Sequence, residues 1–147
     1  MSLRVRRLEA KDRDVWLALF KGYMEFYKAT VAEEVIEATW KRLIAGEPHF
    51  HLGLVAVDAS DTPIGLAHVL FHRSTWSASC YCYLEDLFVD PARRTQGAGR
   101  ALINAVYREA DRRGATRTYW TTQETNYRAR ALYDQMATKS PFIQYRR

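Results

Sequence analysis

Leu84-Glu85-Asp86-Leu87-Phe88-Val89-Asp90-Pro91-Ala92-Arg93-Arg94-Thr95-Gln96-Gly97-Ala98-Gly99-Arg100-Ala101-Leu102 is the stretch on which the reading of this chain turns. It leaves an apolar strand, breaks at Asp90-Pro91, and enters an amphipathic helix. Gly97 and Gly99 allow backbone N–H groups to approach a ligand with no Cβ in the way. Those N–H groups would sit at the positive end of the helix, a ready anion site, with Arg94 and Arg100 at its rim. A phosphate or pyrophosphate is the natural guest. A dinucleotide fingerprint would need a third glycine where Leu102 stands, and seven residues separate Val89 from Gly97 where that motif allows almost none. The nucleotide P-loop would need Gly-Lys-Ser/Thr, which is missing. What remains is Arg-x-x-Gly-x-Gly, or, on spacing alone, a plain helix-entry turn.

Working outward, residues 3–8 alternate like a strand, and Lys11-Asp12-Arg13-Asp14 reads as a helix start. Val15, Leu19, Tyr23, Phe26 and Tyr27 recur at helical spacing. A second helix fits Val31–Ala45, with Val35, Ile36, Trp40 and Leu43 inward and Gly46 as its stop. Phe50–Asp58 and Ile64–Arg73 read as a hairpin around Ser60-Asp61-Thr62-Pro63, followed by a strand over Ser79–Val89. Then come a helix over Gly97–Arg113, a strand over Arg117–Thr122, a helix over Asn126–Ala137 and a short last strand over Phe142–Tyr145. The order β-α-α-β-β-β-α-β-α-β predicts an α/β mixed sheet with helices on both faces, its strands before and after the third helix running parallel.

The 147 residues, 48% hydrophobic and 27% charged, predict one domain over 1–147 that needs neither metal nor disulfide staple. No apolar run is long enough to span a bilayer, and the N-terminus lacks a secretory h-region, so a cytoplasmic protein without a membrane partner is expected. Cys80 and Cys82 stand one residue apart, too close for an unstrained disulfide within a strand, and read as reduced thiols. The net charge of +5 is spread out rather than gathered into a nucleic-acid arm, so no nucleic-acid partner is expected. His49/His51 and His68/His72 could each share a strand face, but no carboxylate or cysteine cluster accompanies them, and no metal is expected.

Leu84–Pro91 and Arg94–Leu102 together resemble the GNAT superfamily of acyl-CoA-dependent N-acyltransferases. Asn126-Tyr127-Arg128-Ala129-Arg130-Ala131-Leu132-Tyr133 resembles that family's second motif, Asn-x-x-Ala-x-x-Leu-Tyr, and the element order is also the family's. Leu84-Glu85-Asp86 looks most like the polyamine acetyltransferases. The ending Ser140–Arg146 resembles a subgroup acting on histones, polyamines or D-amino acids. The resemblance implies a GNAT fold, a central, mostly antiparallel mixed sheet flanked by four helices. It also implies acetyl-CoA as cosubstrate and direct transfer to a primary amine, a polyamine, amino acid or other small amine. Protein lysine or N-terminal acetylation and a non-catalytic acyl-CoA-binding module are the alternatives. The chain stops about where the family's C-terminal hairpin would begin, which implies a homodimer whose partner completes the sheet.

Residue by residue, the resemblance implies that Arg94, Thr95, Gln96, Gly97, Ala98, Gly99 and Arg100 hold the coenzyme A pyrophosphate. It also implies that Leu87, Phe88 and Val89 bond the pantetheine as an added strand. Asn126 is an N-cap or a further pantetheine contact. Tyr133 matches the residue that protonates the leaving sulfur; its phenol can donate at neutral pH. Glu85 matches a proposed base, with water relay or amine counter-charge as its other roles. Asp86 points the opposite way in a regular strand, unless a bulge exchanges the two. Tyr27 could wall an acceptor pocket, since aromatic faces receive ammonium groups well.

Overall fold

A computed structural model describes residues 3–45, 51–94 and 96–147. The predicted Gly46 stop, Phe50, His49 and Thr95 lie outside the described residues. β1 (Arg4–Arg7) leads through a 3-10 turn (Ala10–Asp12) into α1 (Arg13–Phe26) and α2 (Glu33–Ala45). β2 (His51–Val57), β3 (Pro63–Ser74) and β4 (Ser77–Val89) follow as a meander. A second 3-10 turn (Pro91–Arg93), α3 (Ala98–Arg112), β5 (Ala115–Tyr119) and α4 (Tyr127–Met136) complete the order. The sheet order is β1-β2-β3-β4-β5, antiparallel except for the parallel β4/β5 pair that the α3 crossover requires.

β2 and β3 are buried along almost their whole length because helices cover both sheet faces. On one face Leu52, Leu54, Val69, Cys82 and Leu84 pack under Leu102, Ile103 and Val106 of α3. On the other, Val55, Leu66 and Phe88 pack under Trp16 and Phe20 of α1 and Ile36 and Trp40 of α2. The buried stripe of α1 is Trp16, Leu19, Phe20 and Met24, so the expected Val15 and Phe26 are exposed, as is Val35 of α2. Each lies one step off a stripe whose direction is set by the largest rings. The β2–β3 turn closes on Asp58, whose Oδ1 accepts from the backbone N–H groups of Ser60 (2.9 Å) and Thr62 (3.0 Å).

Two expectations are corrected. Phe142–Tyr145 is not a strand; the chain beyond α4 pairs with nothing in the sheet, and Phe142, Ile143 and Tyr145 are exposed. An apolar run becomes a strand only by bonding an edge, and no periodicity in four residues states whether an edge is within reach. β5 is also shorter than the predicted Arg117–Thr122. It starts at Ala115 and ends at Tyr119, and Trp120–Gln123 leaves the sheet. The cause is that β4 and β5 pair only over Cys80–Tyr83 and then diverge.

Candidate active site

That divergence makes a slot. From Leu84 to Val89, β4 bonds β3 on one side, and among the described residues no strand pairs with its other edge. Alternate N–H and C=O groups there are open to an extended ligand. The first turn of α3 closes one end of the slot. Gly97 is its N-cap in the left-handed conformation (φ 83°), and nothing lies within 4 Å of where a Cβ would be. The first helical bond runs from the Ala101 N–H to the Gly97 carbonyl, so the N–H groups of Ala98, Gly99 and Arg100 have no partner within the helix. Gly99 serves a different purpose: a Cβ there would stand 3.2 Å from Leu132 Cδ2, so this glycine lets α4 approach α3.

The arginines divide their work. Arg93 is tied to Asp58 (3.2 Å), fixing the loop to the β2–β3 turn. The Arg94 guanidinium lies over Phe88 (5.9 Å) and Phe26 (6.0 Å), and Arg100 donates to Gln135 of α4. Asp90 accepts from the Ala92 N–H (3.0 Å), turning the chain sharply out of β4. An open glycine, the first turn of a helix and two nearby guanidinium groups are chemistry that can receive an anion.

α4 brings Tyr133 to the slot. Asn126 caps the helix, its side-chain oxygen accepting from the Ala129 N–H (3.4 Å) and its amide donating to Thr122 (3.3 Å). Tyr133 packs edge-on against Trp120, 5.4 Å between centroids. Burial, with a smaller push from Tyr27, raises its phenol to about 12, so it is a proton donor at neutral pH. Tyr27 stacks beside Tyr23 (4.9 Å) and thereby links the end of α1 to Tyr133.

On the β4 side, the strand carries a bulge. His68 pairs with Asp86 and Val69 with Leu84, leaving Glu85 as the extra residue. Glu85 is exposed, yet burial of its carboxyl and then the charge of Asp86 raise it above the usual glutamate range, against the pull of Tyr83. Asp86 Oδ2 lies 2.8 Å from His68 Nδ1, and Tyr23 stands beside it, its phenol pushed well up by burial and by the Asp86 charge. Glu85 thus lies beside Asp86, Tyr23 bridges from Asp86 to Tyr27, and Tyr27 is close enough to bear on Tyr133.

Sequence reasoning weighed His68 only as a metal ligand, and read Tyr23, Phe26 and Tyr27 of the first helix as core rings of which some could wall an acceptor pocket. Tyr83 and Tyr119, 4.8 Å apart, also border Glu85. Among the described residues no three His, Cys, Asp or Glu side chains form a metal cluster. Cys82 is fully buried, and burial pushes its thiol up to about 11, so it is no nucleophile.

Comparison with known proteins bears on the family and the fold. The Acetyltransferase (GNAT) family matches residues 16–137. The D-amino-acid N-acetyltransferase HPA3 of Saccharomyces cerevisiae is 37% identical over 145 residues, 97% of this chain and 89% of that protein. The thialysine N-epsilon-acetyltransferase of Bos taurus is 31% identical over 134 residues, 85% of this chain and 78% of the relative. Among solved structures, AAC(6')-Iy in complex with a bisubstrate analog superposes with a TM-score of 0.84 at 18% identity, covering 100% of this chain and 99% of that one. At that identity the likeness is one of fold.

Proposed function

The chain belongs to the GNAT acetyltransferase family, and from that premise we propose that it transfers acetyl directly from acetyl-CoA to the primary amine of a small cationic acceptor. The observation that carries the reading is the open edge of β4, with the first turn of α3 and its left-handed Gly97 beyond one end and Glu85 at the bulge of the strand itself. Bound acetyl-CoA supplies an activated thioester carbonyl. Arg94, Gln96, Gly97, Ala98, Gly99 and Arg100, with Thr95 between them, hold its pyrophosphate, and the backbone of Leu87, Phe88 and Val89 holds the pantetheine as an added strand. Asn126 sets the start of α4 and so the place of Tyr133.

An alkylamine has a pKa near that of lysine, about 10.4, so about one molecule in a thousand is neutral at pH 7. Glu85, with its raised carboxyl, takes the proton directly or through one water. The amine nitrogen then bonds to the carbonyl carbon and the carbon–sulfur bond breaks. The attacking nitrogen sheds its second proton to solvent as the amide forms, Tyr133 gives its proton to the departing sulfur, and solvent returns one to Tyr133. Asp86 and the rings of Tyr23 and Tyr27 receive the acceptor's positive charge.

The relatives act, by name, on D-amino acids and on thialysine, which supports a small acceptor over a protein tail. A panel of D-amino acids, thialysine, a linear diamine and a histone-tail peptide, assayed by thiol release from acetyl-CoA, tests this. Turnover of a small amine supports it. Turnover of the peptide alone, or binding of acetyl-CoA without any turnover, would replace it with protein acetylation or a non-catalytic module. A homodimer is part of the same reading, with sedimentation as its test.

A further inference from the structure

The bulge in β4 is held by a buried relay that hydrophobic packing alone does not call for. His68 is 4% exposed, and its Nε2 lies 2.9 Å from Trp16 Nε1. An indole N–H only donates, so Nε2 is the acceptor and the ring proton sits on Nδ1, directed at Asp86 Oδ2 at 2.8 Å. Trp16 is fully buried, packed against Phe20 (5.4 Å) and Trp40 (4.9 Å). The relay therefore starts in the rigid core between α1 and α2 and ends on the carboxylate beside Glu85. His68 and Asp86 are also direct partners across β3 and β4, at the pair adjoining the extra residue. The strand changes phase there. Cys82 and Leu84 face α3, and so do Leu87 and Val89, while Phe88 faces α1. Without the bulge, Glu85 and Asp86 would point to opposite faces. With it, Glu85 lies among Tyr83, Asp86 and His68.

We propose that His68, held by Trp16, is a positioning residue for acetyl transfer: its bond to Asp86 pins the bulge so that Glu85 and Asp86 turn to the acceptor together. The inference rests on the reading above, in which Glu85 deprotonates the amine. An apolar ring at 68 would pack against Phe20 and Trp16 but would leave Asp86 without its partner across the strands. The relay costs desolvation of three polar groups; the Trp16–His68 bond, between α1 and β3, stands apart from β4, while the His68–Asp86 bond is made at the pair adjoining the bulge.

The test compares the parent with His68→Phe, His68→Gln and Trp16→Phe, using acetyl-CoA with thialysine and D-amino acid acceptors. His68→Phe should lower acceptor kcat/KM by about tenfold or more, the scale of one lost buried hydrogen bond, with KM for acetyl-CoA unchanged. His68→Gln, whose amide can accept from Trp16 and donate to Asp86, should recover most of that loss. Parental turnover in a folded His68→Phe, or no recovery in His68→Gln, overturns the inference. Should His68→Phe not fold, Trp16→Phe keeps an aromatic ring and removes the donor, with a melting temperature on the same variant reporting the separate cost of the smaller ring in the core. A loss of about threefold or more in acceptor kcat/KM then supports the relay, and parental kinetics overturn it. Melting shifts with acetyl-CoA, read on the same proteins, report the cosubstrate reading separately. Their absence in the parent would remove the premise and the inference with it.

Discussion

The environments of Tyr133 and Glu85 push both toward holding protons more tightly. For Tyr133 this suits an acid. Tyr133→Phe should keep the packing against Trp120 and lower kcat by about a hundredfold, the low end for general acid catalysis, because a thiolate leaves fairly well unaided. Parental turnover in that variant, with chemistry rate-limiting, would reduce Tyr133 to packing. For Glu85 the sign runs the other way: it works only when ionised, so its raised carboxyl moves the acid limb of kcat/KM above the ordinary glutamate range. Asp86→Asn removes the neighbouring charge and should shift that limb to lower pH; a pH–rate profile with an unmoved limb would show that Asp86 does not tune Glu85. The expectations for Tyr133 and Glu85 came from motifs to which each belongs. His68 and Tyr23 were not legible in this way, because their partners Asp86 and Trp16 reach them only through the register of β3 on β4 and the packing of α1.

At the scale of elements, the end of β4 and the start of α3 were readable, since Asp90-Pro91 and the two glycines each act locally; the 3-10 turn over Pro91–Arg93 was not. What the sequence could not separate was the work of those glycines. Gly97→Val forces a branched side chain into a left-handed position and into the open cradle. It should abolish measurable CoA binding and destabilise by about 1–2 kcal/mol or somewhat more. Gly99→Val instead presses on Leu132, so it should displace α4 and lower kcat through Tyr133. Isothermal titration with CoA and steady-state kinetics on the two variants distinguish these outcomes. Identical losses of CoA affinity without any separate effect on kcat would show that both glycines serve only the phosphates. The length of β5 and the absent last strand were illegible for one reason: whether a short apolar run joins a sheet depends on the partner edge, which is not a property of the run.

Across the whole molecule, one ionic knot ties β1, the first 3-10 turn and the β2–β3 turn. The Arg6 guanidinium reaches Asp12 through two bonds (2.8 and 2.9 Å) and Asp61 through a third (2.9 Å), and Asp12 also accepts from the Glu9 N–H (2.8 Å). Burial works to raise the Asp12 carboxyl, but the bonds from Arg6 and Glu9 outweigh it and leave it below the usual range. Its contribution is therefore complete above the unfolded value of about 3.9 and is lost as pH falls through the lower folded value. Arg6→Ala leaves the Asp12 carboxylate, 3% exposed, without its cation and should cost about 3 kcal/mol, measured by denaturant unfolding at pH 7. The acid transition of the variant should also move to higher pH. A loss below about 0.5 kcal/mol would show the knot to be no stronger than a surface pair.

The split between β4 and β5 also sets a timescale. Amide hydrogens along residues 84–89 that point into the gap have only solvent to bond, so in the free protein they should exchange with deuterium far faster than those facing β3. A cosubstrate that docks there as a strand would lend the sheet a temporary neighbour and slow those same amides, leaving the β3-facing set as before. Exchange measured with and without CoA would show an alternating pattern of protection along one strand. Uniform or absent protection would mean that the ligand rests elsewhere.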